Sequence, residues 1–137
     1  MTPQQKIKHL ILIRHAEWND DPDAVEFTRA LDATGIDDQY AALEEAGDIW
    51  DAVSEIRGGE VPSNLKCDWS RHYESQAVAA RYIDGSWVGW TYWFGGGKHG
   101  EPETIDWIPD AYALDVTEEE KVVTVRTFAK ADQAGNA

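Results

Sequence analysis

ESQAVAARYIDGSWVGWTYWF (Glu74–Phe94) is the stretch whose reading decides the fold. Asp84-Gly85 is a strong hairpin-turn dipeptide, because glycine accepts the positive φ that such turns need. The flanks are rich in small, β-branched and aromatic residues, the composition of a strand packed on at least one face. We expect Glu74–Ile83 and Ser86–Phe94 to pair antiparallel. A two-residue turn pairs Ile83 with Ser86, setting Ala79 opposite Trp90 and Ala77 opposite Tyr92. Side chains alternate across a strand, so Val88, Trp90, Tyr92 and Phe94 then share the core face. The other face carries Tyr82, Trp87, Gly89 and Trp93, too aromatic to stay fully wet.

Working outward, Gly95-Gly96-Gly97 lets the backbone leave the sheet sharply or approach something closely. Ala111–Val116 and Lys121–Phe128 read as a second hairpin closed by Thr117-Glu118-Glu119-Glu120. Gln133–Ala137 is expected to fray. Upstream the period changes to that of helices. Thr2, Pro3 and Gln5 form a helix start with a capping box, leading to a buried stripe of Ile7, Leu10 and Ile11, with Ala16 or Trp18 completing it. Asp21-Pro22 opens a second helix ending at Gly35. A third opens at Asp37 or Asp38 and carries Tyr40, Leu43, Gly47, Trp50, Val53 and Ile56 at spacings of three and four. Gly58-Gly59 ends it, and Pro62-Ser63-Asn64 reads as a linker.

The expected fold is α+β: three N-terminal helices packed on one face of a four-stranded antiparallel β-meander. At 137 residues a single domain is expected, with 1–60 helical, 61–130 forming the sheet and 131–137 a flexible tail.

The net charge is −14 and is unevenly spread. Residues 1–60 hold five Lys/Arg against fourteen Asp/Glu, residues 61–100 four against three, and residues 101–137 three against nine. Direct binding of nucleic acid or of an anionic membrane is disfavoured, since both would repel the chain. A basic protein partner is favoured, or the acid serves solubility alone. Cys67 is the single cysteine, so no intramolecular disulfide forms, and a reducing cytoplasm is the expected location. No apolar run is long enough to span a membrane, and no signal peptide is evident at the N-terminus.

Lys8-His9-Leu10-Ile11-Leu12-Ile13-Arg14-His15-Ala16-Glu17 resembles the opening strand of the histidine phosphatase superfamily, an apolar strand ending in Arg-His-Gly or Arg-His-Ala. That resemblance implies His15 as phosphoryl acceptor and Arg14 as phosphate ligand. It covers about ten residues and then fails. The family's Ser-Pro-Leu-x-Arg-Ala segment is absent, and His99-Gly100 follows glycines rather than an apolar strand. The helix-start chemistry at Thr2–Gln5 also claims this window. We therefore expect helix over 3–17, with no second histidine beside His15.

Gly95-Gly96-Gly97-Lys98 does not meet the Walker pattern, because Tyr92 and His99 occupy positions that need Gly and Ser or Thr. A looser anion cradle of glycine amides, Lys98 and His99 beside an aromatic wall remains as an alternative. Cys67, His72, His99, Glu101, Glu103 and Asp106 lack any metal-ligand spacing. No metal, cofactor or catalytic group is expected.

Gly89-Trp90-Thr91-Tyr92-Trp93 through Gly95–Glu103 resembles the core of small uncharacterised acidic proteins of bacterial genomes, plasmids and phages. The resemblance implies an accessory, mobile-element protein, many of which inhibit host defence by binding. The expected function is a non-enzymatic acidic binding protein, an inhibitor of a nucleic-acid-binding host protein. The alternative is a ligand- or nucleotide-capturing protein, or a phosphatase-like enzyme, using Arg14/His15 or Lys98/His99. The binding surface is expected at Tyr82, Trp87, Trp93, Lys98 and His99, with a homodimer through the aromatic sheet face as a further expectation.

Overall fold

A computed structural model describes residues 1–132. Four helices precede a four-stranded antiparallel sheet: α1 (Pro3–Trp18), α2 (Pro22–Arg29), α3 (Ala33–Ala46), α4 (Trp50–Arg57), then β1 (Val61–Pro62), β2 (Glu74–Arg81), β3 (Trp87–Phe94) and β4 (Tyr112–Leu114). The sheet order is β1-β2-β3-β4. Two 3-10 turns, Gly97–His99 and Pro102–Thr104, lie between β3 and β4. The α+β class and the N-terminal helices are as the sequence predicts. No helix among the described residues is long and apolar enough to cross a membrane.

α1 begins at the expected capping box. The Gln5 amide donates to Thr2 Oγ1 at 3.1 Å, and the Thr2 amide donates to Gln5 Oε1 at 2.9 Å. Ile7, His9, Ile11, Leu12, Ile13 and Ala16 are all buried. A helix apolar around most of its girth belongs inside the molecule, and α1 touches α2, α3, α4, β3 and β4. Trp18, a candidate for its buried stripe, is exposed instead.

The single long third helix is in fact two. Gly47 adopts φ +76 and ends α3, with the Asp48 amide donating to the Leu43 carbonyl. A left-handed glycine is a common helix stop. Gly35 is not a stop but lies in the first turn of α3, where its amide donates to the Asp32 cap at 2.8 Å.

The hairpin register differs by one residue from the sequence expectation. Val78 pairs with Trp90, Ala79 with Gly89 and Ala80 with Val88. The turn holds three residues, Ile83-Asp84-Gly85, because the Tyr82 amide donates to the Ser86 carbonyl and the Gly85 amide donates back to Tyr82. Gly85 at φ +91 takes the left-handed place of a three-residue hairpin loop. A slip of one residue exchanges faces. Val78 and Ala80, not Ala77 and Ala79, therefore join Val88, Trp90 and Tyr92 against the helices. Tyr82 moves to the helix side too, where it is buried.

The strand inventory also shifts. Pro62, read as the first residue of a Pro62-Ser63-Asn64 linker, pairs with β2 together with Val61, while Lys121–Phe128 forms no strand and is exposed throughout. The end of the tail, Gln133–Ala137, lies outside the described residues.

The core gathers Ile7 and Ile11 of α1, Ile36 and Tyr40 of α3, Ile49 and Ala52 of α4, and the inner face of β2 and β3. Trp90 is 0% exposed at its centre, 5.1 Å from the Trp107 ring, and its Nε1 donates to the Arg57 carbonyl at 2.8 Å. Truncating it leaves the largest cavity the core can hold. Trp90→Ala is expected to lower unfolding free energy by about 3–5 kcal/mol. Urea unfolding monitored by far-UV circular dichroism measures the loss.

Candidate functional site

The five residues marked from the sequence do not converge. Tyr82 lies on the helix side, bonded through its hydroxyl to Nδ1 of buried His9. The other His9 nitrogen, Nε2, faces the Thr28 carbonyl at 2.6 Å and must donate to it. The Tyr82 hydroxyl also lies 3.2 Å from Met1 Sδ. Both His9 ring nitrogens are partnered, so this trio is a satisfied polar link between α1, α2 and the sheet. Burial, with the Asp84 carboxylate adding to it, raises the Tyr82 pKa.

Trp87 and Trp93 are partly buried at opposite ends of β3, about 20 Å apart along the strand. Trp87 lines a groove of about 380 Å3 with Val61, Leu65, Ala79 and Leu114 on the outer sheet face. That face is not bare. The Tyr112 ring covers Gly89, where a Cβ would sit 2.6 Å from it. The Trp93 carbonyl is held by Arg57 Nη1 at 2.7 Å, and the Arg57 guanidinium stacks 4.8 Å over Tyr92.

Lys98 and His99 are exposed on the 3-10 turn after the glycine run. The glycines answer to the protein's own packing. Gly95, Gly96 and Gly97 all have positive φ, and a Cβ on Gly96 would meet the Tyr73 ring at 2.5 Å. The Tyr73 hydroxyl accepts from the Glu101 amide at 3.2 Å, closing the loop around that ring. The close approach read from the glycines is thus made to Tyr73.

Arg14 and His15 lie in a helix, as expected, and open onto different grooves. Arg14 faces Glu17 at 3.9 Å and Glu55 at 3.3 Å, whereas His15 lines a cleft with Phe27, Leu31 and Leu43. No second histidine lines that cleft. Among the described residues no group of three His, Cys, Asp or Glu is placed to hold a metal ion.

The feature the structure does assemble is acidic. Residues 30–56 contain eight Asp/Glu and no Lys/Arg, and they fold into α3 and α4 on the outside of the core. All fourteen carboxylates of residues 1–60 are exposed. Of these fourteen only Glu17 and Glu55 stand within ion-pair distance of a cation among the described residues, sharing Arg14. Asp21 and Asp32 cap helices, and Asp37 accepts from Gln5. Asp38, Glu44, Glu45, Asp48 and Asp51 carry no such duty.

This acidic face borders a cleft of about 510 Å3 lined by Tyr40, Trp50, Arg57, Trp107, Glu44, Glu103 and Asp106. Trp50 is 54% exposed at its rim. Burial first, then Glu44 and Asp106, pushes the Tyr40 pKa up to about 12. Glu44, Glu103 and Asp106 give the cleft three carboxylates against the single guanidinium of Arg57. An aromatic rim in a negative field suits a guanidinium or ammonium group. Sequence reasoning noted the −9 of the first sixty residues but missed this cleft; the unbroken cation-free run was the available signal.

No family model, curated protein or solved structure matches the chain.

If the glycine loop is packed on Tyr73, Gly96→Ala must cost more than Gly97→Ala. Both force a left-handed alanine, a strain of about 1–2 kcal/mol. Only Gly96 adds a ring collision, since a Cβ on Gly97 meets nothing within 4 Å. Paired urea-unfolding midpoints check the ranking; equal losses would separate the loop from Tyr73.

Proposed function

We propose that the protein is a non-enzymatic acidic binding protein whose α3–α4 face docks on the basic surface of a nucleic-acid-handling partner. The observation that carries this reading is the cation-free run of residues 30–56, whose exposed carboxylates mostly lack an internal partner. A field of fixed negative charge steers a basic protein toward it and competes with a phosphate backbone for the same lysines and arginines. Trp50, at the cleft rim, supplies an aromatic anchor of the kind that concentrates binding energy at interfaces.

The resemblance of the Gly89–Glu103 core to mobile-element proteins extends the proposal: the partner is a host defence protein that handles nucleic acid, and the protein inhibits it. The cytoplasm, where such a partner works, is the proposed location. No observation favours capture of a nucleotide at Lys98 and His99.

The test is affinity capture from nuclease-treated host extract, followed by kinetics with the captured protein. The expected partner is basic, is displaced by duplex DNA, and dissociates steeply with salt. Neutralising Asp38, Glu44, Glu45 and Asp48 to their amides should slow association at least tenfold at low salt, with an unfolding midpoint that is raised, not lowered, as their mutual repulsion is removed. Recovery of only acidic or salt-insensitive partners would leave the charge as solubility alone.

A further inference from the structure

Past β4, residues 115–118 line the outer groove of their own sheet beside Trp87 and Val61, and the chain beyond them joins no strand. Residues 115–132 are all exposed and have no regular structure. Within them KVVTVRTF (121–128) has the β-branched and aromatic composition of a strand, yet Val122, Val123, Val125 and Phe128 are between 75% and 103% exposed. A segment built for a sheet stands outside one. Residues 121–130 also hold Lys121, Arg126 and Lys130 with no carboxylate, a +3 segment in a chain of −14.

We propose that residues 121–128 are an exchanged strand: in a dimer, each copy's segment pairs with the free edge of β4 in the second copy and becomes a fifth strand. β4 is the last strand of the sheet among the described residues, and Tyr112-Ala113-Leu114 contains no proline, so its outward backbone groups can pair. The opposite edge is blunted, because Pro62 has no N–H to give in the two-residue β1.

Charge supports the same placement. Asp110 and Asp115 flank β4 and face the cations of the incoming segment. The outer groove runs across the sheet from Val61 and Leu65 to Trp87 and Leu114 and is closed on the β4 side by the chain's own residues 115–118, so the hinge starts on the face that Val123 and Val125 would extend.

The hinge explains why the strand comes from a second copy. Folding back onto its own β4 would close a tight turn over Thr117–Glu120, where three adjacent carboxylates repel one another. Kept extended, residues 115–120 reach about 20 Å, enough to cross to a neighbour. Exchange of an identical element between copies is a low-cost route to a dimer. This surface is separate from the acidic face of α3 and α4, so its failure leaves the proposed function standing.

The test is the mass of the full chain by light scattering, with hydrogen exchange of the amides of 121–128. The expected result is the mass of two chains, slowed exchange across 122–128, and a return to one-chain mass and fast exchange in Val123→Asp/Val125→Asp. Both valines are exposed within the single copy, so the variant should keep its circular dichroism; if it did not, the wild-type mass and exchange decide. A one-chain mass overturns the proposal, whether exchange is fast, leaving the segment for another protein, or slow, showing a hairpin on its own β4. A two-chain mass that survives the double substitution overturns it as well, by placing the contact elsewhere.

Discussion

The structure depends on the burial of α1. A four-stranded sheet with two very short edge strands cannot hold a large core, so the apolar volume must come from the helices. α1 supplies it: Ile7 and Ile11 are 0% exposed, and the helix touches α2, α3, α4 and the sheet. Lys6 ties its first turn to the hairpin, donating to Ser86 Oγ at 2.8 Å, while Ser86 in turn donates to Asp84. Those bonds and the nearby Lys6 ammonium hold the Asp84 carboxyl below its ordinary range. At the other end of the hairpin Arg57 fastens α4 to the Trp93 carbonyl. The helical layer is thus clamped to both ends of β3.

That arrangement frees the outer helices for charge. With α1 carrying the apolar load, α3 needs to bury only Ile36 and Tyr40, and α4 only Ala52. Leu43, Val53 and Ile56 pack against the core's edge, and the outward positions can hold carboxylates without touching it. The fold accommodates eight acidic residues in a row of 27 positions without a single lysine or arginine to balance them. Such a face costs self-repulsion in the free protein. A basic partner removes that repulsion on binding, which links the packing of α1 to the proposed use of the surface.

Much of the fold was legible where local chemistry decides it. The Thr2–Gln5 capping box and the core face Val88, Trp90 and Tyr92 follow from residue type and period alone. The register did not, because a loop of two and a loop of three residues both satisfy Asp84-Gly85. What selects three is a long-range event, the seating of Tyr82 against His9 of α1. β1 was hidden by Pro62, which argues against a strand anywhere but an edge, where it in fact lies. Lys121–Phe128 shows the converse: strong strand propensity in a segment that joins no strand of the sheet. At the site, Lys98 and His99 drew attention through glycines whose tight contact is with Tyr73. The acidic face was visible as charge, but its junction with Trp50 and Trp107 needed α4 and the 103–108 segment brought together.

The central claim is that the carboxylates of α3 and α4 mostly lack an internal partner and are held in one repelling field. The most direct measurement is unfolding free energy against sodium chloride, from about 0.01 M, where screening reaches ~30 Å, to about 1 M, where it reaches ~3 Å. Relief of self-repulsion predicts that stability rises steadily across this range. A stability that falls with salt would show the acidic residues already engaged in internal ion pairs, and would contradict the account.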